Sequence, residues 1–196
     1  MKKIIAQIVF IALLTSTPSF AGIYELELTA SRSDLEARYR ADLPLDSGIF
    51  STGLGAIYRN DDYKIADMKL TLGKELWAPG LILHLGLKGV AGEVERDQKK
   101  GDLTGVGVLV LARYRIPQTI SPLPLGVSAG ASFAPGPLCF SDAERYIDVS
   151  TSLDFRIMEN GEILFGYRYI RARLDDNHGK WNISDATLFL GYRLSY

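Results

Sequence analysis

The sequence predicts an all-β fold, a single antiparallel transmembrane β-barrel of ten strands, with eight as the alternative. Three observations predict it. The chain after residue 21 alternates apolar and polar residues in pieces of about ten, the length a tilted strand needs to cross a bilayer. Glycines fall on the polar side of that alternation, and aromatic residues gather near both ends of the strands. The connectors switch regularly between turn-like and hydrophilic, as a closed up-and-down barrel requires.

The first 21 residues read as a secretory signal. Lys2 and Lys3 open it, Ile4 to Leu14 is apolar apart from Gln7, and Ser19-Phe20-Ala21 offers the small residues a signal peptidase reads. Residues 22–196 are then the barrel domain. The apolar run is short for a membrane helix, and charged residues follow it. No Cys follows the cleavage site, which argues against a lipoprotein anchor. Cys139 is the only cysteine, so no disulfide forms within the chain. It reads as a stray thiol in a loop.

The chain has 196 residues, 22 basic against 23 acidic, and a net charge of −1. No basic field is present to hold nucleic acid. Hydrophobic residues make up 47% and charged residues 23%, which excludes disorder.

Ten strands are expected at 23–30, 35–42, 49–59, 64–74, 81–92, 103–115, 126–134, 146–158, 162–173 and 184–196. The eighth is the clearest: Ile147, Val149, Thr151, Leu153, Phe155 and Ile157 face one way, and Asp148, Ser150, Ser152, Asp154 and Arg156 the other. The turn-like connectors are 43–48, 75–80, 117–125 and 159–161. The hydrophilic ones are 31–34, 60–62, 93–102, 135–145 and 174–183. An even strand count puts both chain ends with the turn-like set, the layout of periplasmic turns and external loops.

Alternation alone also fits a soluble barrel with its apolar face inward. Glycine decides for the inverted wall. Gly53, Gly55, Gly73, Gly86, Gly105, Gly107, Gly130, Gly166 and Gly191 share the polar face, where they make room for long side chains in a narrow lumen. Aromatic girdles agree: Tyr24, Tyr39, Phe50, Trp77, Tyr114, Tyr192 and Tyr196 toward one rim, and Tyr58, Tyr63, Phe133, Tyr146, Tyr169 and Trp181 toward the other.

The alternation places Glu25, Glu27, Glu36, Asp42, Asp67, Asp148 and Asp154 in the lumen. Arg38, Arg40, Arg59, Lys69, Lys88, Arg113, Arg115, Arg156, Arg168 and Arg193 join them. Mixed charges in so narrow a space are expected to pair across strands as a plug. The alternative is a narrow passive pore for small solutes, lined by arginine. An enzyme is the third class, and Asp176 with His178 is the one Asp–His pair that could activate water. His84 has no serine on its own strand face. No phosphate loop, metal-ligand spacing or nucleophile elbow is present, and no cofactor is expected.

"LFLGYRLSY" (188–196) carries Gly191, Leu194 and Tyr196 in a pattern that resembles the C-terminal signal read by the outer-membrane assembly machinery. Phe189 stands where that pattern usually has a polar residue. "GLKGVAG" (86–92), "SFAPGPL" (132–138), "YIDVSTSLDFRIM" (146–158) and "ILFGYRYI" (163–170) come in the order and spacing of the YfaZ family of small outer-membrane proteins, which the chain resembles. The resemblance implies a barrel in the outer membrane of a Gram-negative envelope and no particular activity. The expected partners are outer-membrane lipid and the assembly machinery, and loops 93–102 and 174–183 could touch lipopolysaccharide.

Overall fold

The computed structural model describes residues 22–60, 62–96, 99–117, 119–176 and 179–196. The signal segment 1–21 lies outside the described residues. Eleven strands run in chain order: β1 (Ile23–Ala30), β2 (Asp34–Leu45), β3 (Gly48–Arg59), β4 (Tyr63–Glu75), β5 (Leu81–Arg96), β6 (Lys99–Arg115), β7 (Leu125–Ala134), β8 (Cys139–Ser141), β9 (Ala143–Met158), β10 (Gly161–Asp176) and β11 (Gly179–Ser195). Each long strand pairs antiparallel with its neighbours, and β1 pairs with β11 to close a ring of ten. The ten-strand expectation holds over the eight-strand alternative.

The short β8 is no eleventh stave. β7 pairs with β6 as far as Phe133 opposite Val108, and β8 resumes on the same strand at Cys139 opposite Gly105. The two are one stave interrupted by a 3-10 turn at Gly136–Leu138. Pro135 and Pro137 lack the N–H that a ladder needs, so the chain steps out and returns. Segment 135–145, expected as a free external loop, is therefore mostly built into the wall.

Two other expected loops are also strand. β5 and β6 stay paired out to Arg96 opposite Lys99, and β10 and β11 to Asp176 opposite Gly179. Polar residues on the outer face of these tips hide the strand signal, while the inner face carries Val94, Leu103, Leu174 and Ile183.

Side chains alternate as read from sequence, with an apolar outer wall and a polar lumen. Leu54, Leu72, Leu85, Val108, Phe165, Leu188 and Leu190 are all more than half exposed on the outside. On β4 this apolar stripe lies between Lys64 and Lys74. Ten steps at about 3.3 Å each, on a strand tilted by about 40°, span roughly 25 Å of barrel height. That equals the apolar band of a membrane barrel.

Inner-wall glycines hold the strands and their side chains close. A Cβ on Gly86 would run into the backbone of Leu70 and Thr71, whereas Gly89, on the outer face, has only Met68 O at 4.0 Å. G86A should therefore lower barrel stability by about 1–3 kcal/mol through overpacking, while G89A should leave it unchanged. Urea unfolding of both variants in the same detergent checks the contrast.

Candidate functional site: the filled lumen

The lumen is occupied by side chains in three levels, counted from the end that carries the chain termini. At the first level, Arg113 donates two hydrogen bonds to Glu25, at 2.8 and 3.2 Å. Arg40 lies 3.5 Å from Glu25 and 2.5 Å from Asp42. Register explains the first set, since Glu25 sits opposite Arg40 across the β1–β2 ladder.

Arg193 of β11 gathers three carboxylates. It reaches Glu27 at 2.8 Å, Glu162 at 2.9 Å and Asp154 at 3.1 Å. Ser128 and Ser152 each donate to Asp154 at 2.6 Å. Arg156 approaches Glu162 at 3.5 Å. Arg193 faces Glu27 because β1 and β11 are the pair that closes the ring.

The second level is the most deeply buried. Arg168 is 1% exposed and bridges Asp34, at 2.6 Å, to Glu36. Arg38 pairs with the same Glu36 at 2.5 Å and lies 3.7 Å from Glu27, tying this level to the one below. Lys88 pairs with Asp148 and, at 3.5 Å, with Asp67, which also holds Lys69 at 3.4 Å. The Lys88 ammonium sits 5.5 Å from the centre of the Tyr146 ring.

The third level is apolar. Ile57, Tyr63, Ile65, Val90, Val94, Leu103, Ala134, Tyr146, Ile170, Leu174 and Ile183 form one buried cluster with Trp181 and Cys139 against it. Tyr63, Tyr146 and Trp181 were expected in an outer aromatic girdle, and the structure corrects this. Tyr63 and Tyr146 are on inward positions of β4 and β9, and Trp181 packs on the same cap. Cys139 is half-buried beside the cap, with Sγ 3.5 Å from Ala134 O, rather than free in a loop. Beside the cap, Arg59 pairs with Asp185 and Asp62, both at 2.5 Å, and Tyr63 donates to Asp185 at 2.7 Å.

Thus Glu25, Glu27, Glu36, Arg38, Arg40, Lys88, Asp148, Asp154, Arg156, Arg168 and Arg193 all face inward and join ion pairs. The sequence reading missed Asp34, Glu162 and Asp185, which supply counter-charge to its basic excess. Asp34 falls in the hydrophilic connector 31–34 by sequence, yet it opens β2 and continues the Glu36–Arg38–Arg40 alternation by one step. The apolar cap was missed because Ile57, Ile65, Val90 and Val94 break the polar face of their strands, and a break in alternation looks like noise.

Space in the lumen is divided. A vestibule of about 530 Å³ opens at the terminal end, lined by residues including Arg113, Arg115, Arg156 and Asp42. It shares Glu25, Arg40, His84 and Arg113 with an inner cavity of about 120 Å³. A separate depression of about 430 Å³ at the far end shares no lining residue with either. The Lys88 and Arg168 pairs and the cap lie between.

His84 does meet a serine. Ser51 Oγ lies 3.5 Å from Nδ1, two strands away, because Gly73 on the intervening strand leaves room for the ring. That is the outer limit of a hydrogen bond and longer than an activated nucleophile needs. Asn177 and His178 lie outside the described residues, as does the side chain of Asp176. Among the described residues no group of three His, Cys, Asp or Glu side chains is placed to hold a metal.

No protein-family model and no curated protein matches the chain. Among solved structures, a membrane protein from a study of in-meso crystallization is similar at 14% identity and a TM-score of 0.44, over 89% of this chain and 83% of that one. The outer-membrane channel DcaP of Acinetobacter baumannii is similar at 12% identity and a TM-score of 0.42, over 93% of this chain and 55% of that one. Omp33 of the same organism gives 8% identity and a TM-score of 0.34, over 89% and 96%.

Removing one partner of a buried ion pair strands the other. R168M should cost about 3–5 kcal/mol of unfolding free energy by leaving Asp34 and Glu36 without their shared cation. K100M, which loses an exposed pair with Glu95, should leave stability unchanged. Unfolding midpoints of the two variants in one detergent check this.

Proposed function

We propose that the protein is a non-enzymatic barrel of the bacterial outer membrane, serving envelope structure rather than solute passage. The observation that carries this is the inverted wall: leucine, valine and phenylalanine outside, and paired charges inside. Such a surface is stable only in lipid, where a closed ladder also satisfies every backbone group. The terminal end then faces the periplasm and the capped end faces outward. The sequence resemblance to the YfaZ family supports the same location.

A passive pore needs a continuous path. Here the inner cavity and the far-end depression are separated by the Lys88 and Arg168 pairs and by the cap, which supports a closed barrel. Catalysis through Asp176 and His178 draws no support from the described residues. We also propose that Gly191, Leu194 and Tyr196 form the signal through which the assembly machinery takes up the last strand. The Tyr196 ring stacks on Tyr24 at 5.8 Å, and Tyr24 on Tyr39 at 6.4 Å, so Tyr196 additionally fastens the seam.

The test is electrophoresis and conductance. The folded protein should change mobility on boiling and should show no steady open-channel current in planar bilayers. Unchanged mobility with soluble monomer in the periplasmic fraction would overturn the membrane reading, and large steady currents would replace the plug with a pore. Y196A should reduce outer-membrane yield far more than Y39A, which removes a ring from the same stack but lies outside the signal. Equal yields would show that the stack alone matters.

A further inference from the structure

We infer that the outer wall of β9 and β10, just beyond the apolar band, binds the phosphate groups of an anionic glycolipid in the surrounding leaflet. The inference rests on the membrane reading above and adds a ligand site to it.

Ladder register places Arg173 directly opposite Arg145, and Arg171 opposite Ile147 one outward position below. All three arginines are exposed. Like charges directly opposite each other destabilise a sheet pair. Arg173 has a partner in Glu144, so the charge left over from that pair is Arg145's. Residue 144 is the extra residue of a bulge between Arg173 and Leu174. Its carboxylate takes Arg173 at 3.2 Å and also Lys180, whose hydrogen bond holds Glu144 below the usual carboxylate range. Lys180 also lies 3.6 Å from Asp175. Glu144 and Asp175 are thus spent on Arg173 and Lys180. Among the described residues, Arg145 and Arg171 have no ion-pair partner.

Height fixes the kind of anion. Ile147 and Val149 continue β9 below Arg145, and Tyr169 and Tyr167 continue β10 below Arg171, all on the outer wall. Tyr169 is held by a hydrogen bond from Ser184 at 3.1 Å. The guanidinium groups therefore stand where hydrocarbon gives way to headgroups, and Arg is suited to bidentate contact with phosphate. The wall formed by β5 and β6 is different. Glu93, Glu95 and Asp102 project there on β5 and β6, so loop 93–102 is a poor anion site and the expected lipopolysaccharide contact moves from the loops to this wall.

The test uses the full barrel reconstituted in phosphatidylcholine vesicles doped with bisphosphorylated lipid A or with its dephosphorylated form. Native mass spectrometry and a fluorescence titration read bound glycolipid. The unaltered protein should retain the phosphorylated form preferentially, and R145Q/R171Q/R173Q should lose affinity about tenfold or more, as expected for lost charge-assisted contacts. K99Q/K100Q should bind like the unaltered protein. The boiling-dependent mobility shift checks folding; if the triple variant loses it, R171Q alone, at an exposed position, carries the comparison. Equal binding of the two glycolipids, equal binding by unaltered and altered barrels, or full competition by millimolar inorganic phosphate would each overturn the site. A barrel that fails to insert into vesicles at all would instead overturn the membrane reading.

Discussion

A backbone N–H or C=O left unpaired in hydrocarbon costs several kcal/mol, so a sheet there cannot have an edge. That constraint sets almost everything else about this protein. It makes β1 and β11 meet, even though β1 has only eight residues and their register spans Glu25 to Ala30. It fixes a narrow circumference of ten staves, and the circumference decides how much can stand inside. Glycine opposite a long charged side chain makes room for it, as Gly55 does for Arg38, Gly53 for Lys69 and Gly107 for Lys88. Even the interruption at Pro135 to Leu138 obeys it, since β8 returns to β6 and restores the ladder above the break.

Crowding then forces the charges to neutralise one another. The carboxylates and guanidinium groups deep in the lumen, such as Glu36 and Arg168, have lost most of their water, and pairing is the way to recover the loss. The pairs are shared rather than separate: Glu36 serves Arg38 and Arg168, and Arg193 serves Glu27, Asp154 and Glu162. Shared partners couple distant staves, with β2 bound to β10 across the lumen through Arg168. The ladder holds neighbours together, and the charges brace the ring across its diameter.

Most of this was legible in the alternation. The strand count, the inverted wall and every charged residue assigned to the lumen follow from a period of two that runs through Leu35 to Ala41 or Ile147 to Ile157. What escaped the sequence has a common physical origin. Where the barrel rises past the apolar band, the outer face turns polar, as at Glu93, Glu95 and Asp102, and the inner face turns apolar, as at Val90, Val94 and Leu103. Both changes erase the contrast that marks a strand. The extended hairpins were therefore read as loops, and the cap residues Tyr63 and Tyr146 as girdle. Pairings across the ring, such as Arg113 with Glu25 or Arg193 with Glu162, depend on which staves face each other and on rotamers, and neither is written in local pattern.

The cap gives the molecule a sidedness that the charge network alone would not have. Water, salt and protons can reach Glu25, Arg113 and Asp42 from the vestibule, but from the other direction they meet Leu103, Leu174 and Ile170 first. In a membrane the two faces of the barrel thus belong to different chemical worlds. Conditions on the capped side, however acidic or saline, would act on the hairpins and on Arg59 and Asp62, which line the depression there. The inner braces would answer to the composition of the compartment beneath.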